Sequence, residues 1–169
     1  MLLSGCGAPN SQPKPVLHTN KPERKQAIST GQLELIHRDQ KHQRLWSIEA
    51  QKSHIHYSNQ GKTVGEFYQA KGVLFEKDQK VSTFQADKAI ADQFKNTLVL
   101  EGNVLLVAEK SQVTLKAKQA FWEGAKRELK AMGNVYIESP DYFAGPFNEL
   151  VTDPDFNHID TPDHPKEQP

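Results

Sequence analysis

The chain has 169 residues, enough for one domain with tails. Its 21 basic and 21 acidic side chains give a formal net charge of zero. This balance argues against general binding of nucleic acid, which needs a basic surface. No segment is long and apolar enough to cross a bilayer as a helix, and the single cysteine excludes an internal disulfide.

The first residues predict a lipid attachment site. Leu3-Ser4-Gly5-Cys6 resembles a bacterial lipobox, in which small residues precede a cysteine that becomes acylated. We therefore expect residues 1–6 to be the end of a lipoprotein signal and Cys6 to carry the lipid. The alternative is a chance cysteine near a flexible terminus.

Composition divides the remaining chain into three parts. Residues 7–30 are rich in Pro, Gln, Lys, Asn and Ser without apolar periodicity, which predicts a flexible linker reaching roughly 25–30 Å as a random coil. Residues 31–151 are predicted to form the folded domain. Residues 152–169 contain many prolines and aspartates and little to bury, so a disordered tail is predicted there.

Within the domain, short apolar runs alternate with polar turns. Trp46, Ile48 and Ala50 alternate with polar residues, which is the period-two pattern of a half-buried strand. The segment Ala86 to Phe94 has helical character, but its equivalent at residues 117–123 follows a strand pattern, so we predict a strand. Polar turns are predicted near residues 58–61, 77–80, 92–96, 109–111 and 123–126.

A step of 31 residues runs through the domain. It separates Val73, Val104 and Val135, and a fixed step of this size is typical of stacked repeats. One such unit cannot bury its own apolar face, whereas three stacked units can. The sequence therefore predicts an elongated, twisted β-structure with an apolar interior. The same step relates further positions: Phe67, Leu98 and Leu129; Phe75, Leu106 and Ile137; Phe84 and Leu115; Ala86 and Ala117; Ala89 and Ala120.

Five short segments carry a resemblance to a known family. Their order and constant step resemble the OstA-like family of lipopolysaccharide transport proteins, and within it the arrangement is most similar to LptC. The resemblance covers about residues 33–151. The segments are Leu45-Trp46-Ser47-Ile48-Glu49-Ala50, Phe84-Gln85-Ala86-Asp87-Lys88-Ala89, Leu100-Glu101-Gly102-Asn103-Val104, Leu115-Lys116-Ala117-Lys118-Gln119-Ala120 and Met132-Gly133-Asn134-Val135.

The resemblance implies an all-β, antiparallel β-jellyroll of about 31-residue repeats, open at both ends. Its interior would hold the acyl chains of lipopolysaccharide in transit. No catalytic residue, metal or cofactor is implied. Combined with the parity of the apolar positions, the resemblance gives a candidate groove lining of Trp46, Ile48, Phe67, Val73, Phe75, Phe84, Leu98, Leu100, Val104, Leu106, Leu115, Leu129, Val135 and Ile137. The alternative is that these residues pack together as a closed core.

The resemblance also implies partners and a location. The domain would sit in the periplasm between an inner-membrane ABC transporter and a bridge of LptA-like proteins. Edge strands near residues 32–37 and 135–147 would face the transporter and the bridge respectively, by strand addition. The chain departs from the LptC pattern in using a lipid rather than a transmembrane helix. Gly7 rather than Asp follows Cys6, so the anchoring membrane stays open, with the inner membrane favoured.

Other functions fit the sequence less well. His54 and His56 point the same way on a strand, but no further ligands follow at metal spacing, so solvated histidines are the better interpretation. The aspartates Asp153, Asp155, Asp160 and Asp163 lack the glycine-centred loop of a calcium site. A polysaccharide-cutting enzyme would need aligned carboxylates, yet Lys130 replaces Glu101 one repeat later. A structural bridge lipoprotein without lipid binding remains the alternative function.

Overall fold

The structure is a computed structural model that describes residues 26–57 and 63–162, with side chains described from residue 31 onward. Cys6, the lipobox and residues 7–25 of the predicted linker lie outside the described residues, as do residues 163–169.

The described residues form strands and turns without a helix. The six strands from β5 to β10 are 10 to 14 residues long, and buried and exposed side chains alternate along them as a pleated strand requires. The strands are β1 Gln26–Thr30, β2 Leu33–Arg38, β3 Arg44–Ala50, β4 Lys52–Tyr57, β5 Thr63–Glu76, β6 Gln79–Asp92, β7 Thr97–Ala108, β8 Val113–Glu123, β9 Glu128–Glu138, β10 Phe143–Thr152 and β11 Ile159–Asp160.

These strands form one antiparallel sheet, in which β5 to β10 follow one another side by side. On the far side of β5, β3 pairs with residues 71–74 and β4 pairs with residues 63–68. β2 lies beyond β3, and β1 lies beyond β4. The sheet does not close on itself. The predicted all-β, elongated, jellyroll-like fold is confirmed.

The long strands bend near their middle. In β7 the bend is a bulge, because Glu101 pairs with Gln119 whereas Val104 pairs with Ala117. Gly102 and Asn103 supply the extra residue and have φ angles of 73° and 46°. Glycine adopts such angles without strain, and asparagine tolerates them better than most residues. Gly133 and Asn134 repeat this device in β9, and bulges of this kind bend a strand and increase its twist.

The bend divides the sheet into two layers that face each other. The first layer contains β3 and the second contains β4, and each long strand contributes one half to each layer. Buried side chains of both layers form one apolar cluster, as expected for two facing sheets about 10 Å apart. Opposite the bend, the turns that connect the strands of one layer meet those of the other. We call this line of contact the seam.

The folded part is longer than predicted at both ends. β1 occupies residues of the predicted linker and pairs with β4. After β10 the chain continues as the segment Asp153–Asp160, here called the strap, which contains β11. The predicted start of the disordered tail at residue 152 is therefore too early. The proline- and aspartate-rich composition predicted disorder, although two apolar residues of this segment pack in the fold. Phe156 is only 4% exposed, and Ile159 packs against the core. The strand predicted at residues 86–94 is confirmed for residues 86–92, which belong to β6, whereas residues 93 and 94 lie in the turn that follows.

Candidate functional site: the apolar interior and its seam

The interior is built from rows of side chains that cross the sheet from strand to strand. In the second layer, register pairs Ser53 with Phe67, Phe67 with Ala89, and Ala89 with Leu100. The row continues through Ala120 and Ala131 to Leu150. All seven side chains are buried. Such rows run perpendicular to the strands, so the apolar surface is continuous along the long axis of the sheet.

Twelve of the fourteen predicted lining residues lie in this interior, each at most 2% exposed. They fill the space between the layers by packing against one another, as side chains of a close-packed core do. The twelve are Trp46, Ile48, Phe67, Phe84, Leu98, Leu100, Val104, Leu106, Leu115, Leu129, Val135 and Ile137.

Val73 and Phe75 are the two exceptions. Both are half-buried, and Leu74 takes the interior position between them. The placement of Val73 and Phe75 in the interior was therefore wrong. Phe75 instead lies at the seam, with the Arg44 guanidinium 4.3 Å above its ring.

Val73 and Phe75 were mispredicted because β5 lacks the bulge residue that β7 contains. Phe67 and Ala70 are successive interior positions three residues apart, whereas Leu100 and Val104 are four apart because β7 carries the Gly-Asn bulge. Register makes Ala70, rather than Val73, the structural equivalent of Val104: Ala70 pairs with Ala86 as Val104 pairs with Ala117. The 31-residue step holds between the second and third units but not between the first and second.

Several interior residues were not among the predicted lining. Most are alanines, of which Ala86, Ala89 and Ala120 were identified as repeat positions but not as lining. Trp122, Leu150 and Phe156 are larger and complete the core. Trp122 could have been found from parity, because it follows Ala120 by two residues. The buried alanines are Ala50, Ala70, Ala86, Ala89, Ala91, Ala108, Ala120 and Ala131.

The interior also contains polar atoms without partners. Trp46 Nε1 and the hydroxyls of Ser53 and Ser82 are buried and have no hydrogen-bond partner in the part of the chain that the structure describes. The same is true of Trp122 Nε1. An unsatisfied buried donor costs about 1–3 kcal/mol. These groups do not stabilise the core, because their hydrogen-bonding capacity is unused. They remain able to form a hydrogen bond with a polar group that enters the core.

The seam is closed by a few polar contacts. Arg127, in the turn after β8, pairs with Glu76 at the end of β5. Ser111 Oγ, in the turn after β7, donates to the Asp155 carbonyl oxygen of the strap at 3.1 Å. Next to these contacts lies a cavity of about 190 Å³, here called the seam cavity. It is lined by Gln43, Leu45, Phe75, Glu76, Lys77, Trp122, Gly124, Arg127 and Pro154.

His37 lies at the other end of the seam, where its ring packs 4.9 Å from the Trp46 ring. Burial is the largest influence on His37 and lowers the pKa of its imidazole below the usual 6.5. Asn96 and the Asp39 carboxylate oppose this shift without cancelling it. The neutral imidazole is therefore the form that the fold favours.

The outer face of the second layer is polar. The Tyr68 hydroxyl donates to Glu66 Oε2 at 3.0 Å and holds the pKa of that carboxyl below its usual value, with help from Lys88. His54 lies edge-on to Tyr68. Among the side chains of residues 31–57 and 63–162, no three His, Cys, Asp or Glu residues are grouped as a metal site would need.

Within residues 26–57 and 63–162, the strand edges at the two ends of the sheet pair with no further strand. β1 and β2 lie at one end, in agreement with the edge predicted near residues 32–37. At the other end the edge is β10 rather than β9, so only residues 143–147 of the predicted range belong to it. β11 covers only Val151 and Thr152 of β10. Phe143 is 65% exposed on this edge and stacks on Tyr136.

No helix among the described residues could span a membrane.

Comparison with known proteins gives a family. Curated proteins contain no match to this chain. A family model described as "Lipopolysaccharide-assembly, LptC-related" matches residues 2–112, which is more than half of the chain. The matched region extends from the N-terminal residues through β7, and so includes the first layer's β3, the second layer's β4 and the bulge at Gly102. The chain therefore belongs to the LptC-related family of lipopolysaccharide-assembly proteins.

Proposed function

We propose that this protein binds the acyl chains of lipopolysaccharide between its two layers. In this role it would pass the lipid from an inner-membrane ABC transporter to an LptA-like bridge protein in the periplasm. Membership of the LptC family gives the chain a role in lipopolysaccharide transport. The observation that carries the finer proposal is the continuous apolar interior, which crosses every long strand of the sheet.

The physical need for such an interior follows from the cost of moving a lipid through water. Exposing an acyl chain costs about 0.8 kcal/mol per methylene. Apolar contacts are non-directional, so a chain held by them can move without breaking specific bonds. Because side chains fill the interior seen here, binding requires the two layers to separate.

Several features favour parting at the seam. Arg127 is 58% exposed and Glu76 is half-buried, so solvent reaches this ion pair, and ion pairs open to solvent contribute little stability. At Gly102 and Gly133, by contrast, the backbone runs through the bend from one layer to the other. The strands are also paired on both sides of the bend. The layers would therefore open at the seam and turn about the bend.

The transfer partners would dock on the sheet edges. Unpaired backbone groups on an edge strand accept a further strand, and β10 offers such an edge beside the exposed Phe143. We propose the β10 edge as the docking site for the bridge protein and the β1–β2 edge for the transporter. The proposed location is the periplasm, with anchoring through a lipid on Cys6. Analogy with the family's role favours the inner membrane as the anchoring membrane.

A photo-crosslinking amino acid tests lipid binding at two neighbouring positions on one strand. Leu115 faces the interior and Lys116 faces solvent. During transport in cells, the crosslinker at Leu115 should trap lipopolysaccharide and the crosslinker at Lys116 should not. Equal trapping at both positions would contradict binding in the interior.

The alternative function is a structural bridge lipoprotein that joins partners without binding lipid. It predicts crosslinks to proteins from the β10 edge but none to lipopolysaccharide from Leu115. Displacement of a fluorescent lipid A analogue by lipopolysaccharide distinguishes the two functions on the purified protein.

A further inference from the structure

The seam cavity joins the apolar interior to the surface. Leu45 and Phe75 come from the first layer, whereas Trp122 and Gly124 come from the second. Trp122 is also part of the buried core, so the cavity wall and the interior share a side chain. At about 190 Å³ the cavity is smaller than the roughly 300–1,000 Å³ of typical small-molecule pockets. It has room for part of a chain-like ligand.

Trp122, which lines this cavity, carries a buried polar atom without a partner among the described residues. The Trp122 side chain is 3% exposed, and its indole N–H makes no hydrogen bond. A buried tryptophan N–H normally finds an acceptor, and leaving it without one costs about 1–3 kcal/mol. A ligand that placed a carbonyl or hydroxyl oxygen beside the ring would recover that cost. An acyl chain with an ester, an amide or a hydroxyl near its head has such an oxygen.

The strap covers this region with its own apolar side chains. Pro154 lines the seam cavity, and Phe156 two residues later is buried in the core. The Asp153 carboxylate shapes the turn by accepting from the Asn157 backbone N–H at 2.8 Å. Phe156 itself has a φ of 56°, which is unfavourable for a bulky residue.

Few hydrogen bonds between the described residues join the strap to the rest of the fold. β11 pairs through two residues only. Ser111 supplies the side-chain hydrogen bond from the first layer to the strap. A segment with a short strand and few hydrogen bonds opens at a small part of the free energy of global unfolding.

We propose that the seam cavity is the entry site for an acyl chain and that the strap is a built-in competitor for it. When the strap leaves, the place of Phe156 becomes free, and a chain enters beside Trp122 with its carbonyl or hydroxyl oxygen accepting from the indole N–H. This inference rests on the proposed function, because it assumes that the interior takes acyl chains. It adds the place of entry and the element that regulates it.

The test measures binding of a nitroxide-labelled long-chain fatty acid to the full chain with Cys6→Ser. In Phe156→Ala the competitor is weakened, so the apparent Kd should fall by about tenfold, since a competent state that is more populated binds more tightly. The matched control is Phe143→Ala, which removes the same ring from the exposed edge and should change the Kd by less than about twofold.

A second variant holds the strap closed. The substitutions Ser111→Cys and Asp155→Cys, with the two thiols joined by a short bis-methanethiosulfonate bridge, should weaken binding at least about tenfold. Reduction of the bridge should restore binding at least as tight as that of the wild type, because the hydrogen bond from Ser111 to the strap is absent from this variant. This variant keeps Phe156 and does not depend on whether Phe156→Ala is fully folded.

The outcomes separate the inference from the proposed function. If the wild type binds the fatty acid but neither Phe156→Ala nor the bridge changes the Kd, the strap is not a competitor and the inference fails alone. Binding to Phe156→Ala but not to the wild type supports the inference. If no form of the protein binds, the proposed function fails and the inference fails with it. Hydrogen exchange adds a lipid-free readout: residues 153–160 should exchange faster than β9 in the wild type and slow down when bridged.

Discussion

Individual residues limit how closely the strands of the first layer can approach. At Gly72 an added Cβ would overlap both the Ser47 carbonyl oxygen and the Phe84 ring. Phe84 is buried in the core and Ser47 lies on the neighbouring strand, so neither can move aside without disturbing the packing. The absence of a side chain at Gly72 is therefore part of how the interior is filled.

Gly72→Ala should consequently destabilise the protein. Overpacking of a core costs typically about 1–3 kcal/mol. The free energy of unfolding, measured in urea, should therefore fall by about 1–3 kcal/mol. Gly31→Ala is the matched control, because a Cβ there meets nothing within 4 Å. A loss of stability in Gly31→Ala as large as that in Gly72→Ala would contradict this account.

His37 makes the stability of the seam depend on pH. Its pKa is lowered in the fold by burial, so the unfolded chain binds a proton more readily than the folded chain. This contribution to stability is fully present above about pH 6.5, the unfolded value. It is lost as the pH falls from there towards the folded pKa.

The free energy of unfolding should therefore decrease on acidification below about pH 6.5, and His37→Gln should reduce the steepness of that decrease. His42→Asn is the control, since His42 is exposed and its φ of 62° suits asparagine. Urea denaturation across the pH range measures both. An unchanged pH dependence in His37→Gln would show that another group controls it.

At the scale of strands, the sequence predicts the type of structure better than the register. Alternation of apolar and polar residues predicts β3 and β6 to β9 correctly, because one face of each is buried. The position of Val73 was mispredicted because alternation does not reveal how many residues a bend contains. The signal was present: Gly102-Asn103 and Gly133-Asn134 mark bulges, and no Gly-Asn pair occurs in β5.

The strap shows a second limit of sequence reasoning. Its prolines and aspartates match the composition of a disordered tail, and the two apolar residues that hold it, Phe156 and Ile159, form no periodic pattern. Their partners come from elsewhere in the chain, as with Ser111 and Asp155, which are 44 residues apart. Such a contact depends on how the two layers close, which local patterns do not encode.

The β10 edge gives a prediction about docking. Phe143→Asp places a charge on the exposed edge without removing a buried side chain. It should weaken binding to a purified LptA-like protein by about tenfold or more, as loss of an exposed aromatic anchor does, while leaving lipid binding unchanged. Tyr57→Asp, at an exposed aromatic of β4, is the control and should bind the bridge protein normally. Surface plasmon resonance on all three proteins would decide, and equal affinities would exclude the β10 edge.

The whole molecule is built around one apolar core between the two layers. The two layers form a single sheet folded about the bulges of β7 and β9, and they meet again at the seam through the strap and the Arg127–Glu76 pair. Two features suit a core that opens: the strap makes few hydrogen bonds, and the indole nitrogens of Trp46 and Trp122 are unpaired. Unpaired buried nitrogens do not stabilise a purely structural core. The central claim is that this core admits acyl chains.

The chain carries its own reporters for that claim. It has two tryptophans, and both Trp46 and Trp122 lie in the interior. The most direct measurement is tryptophan fluorescence of the intact protein during titration with a lipid A analogue whose acyl chains are brominated, because bromine quenches only at close contact. If acyl chains enter the core, the quenching should be saturable and unlabelled lipopolysaccharide should reverse it. Binding of the analogue with unchanged tryptophan fluorescence would contradict the central claim.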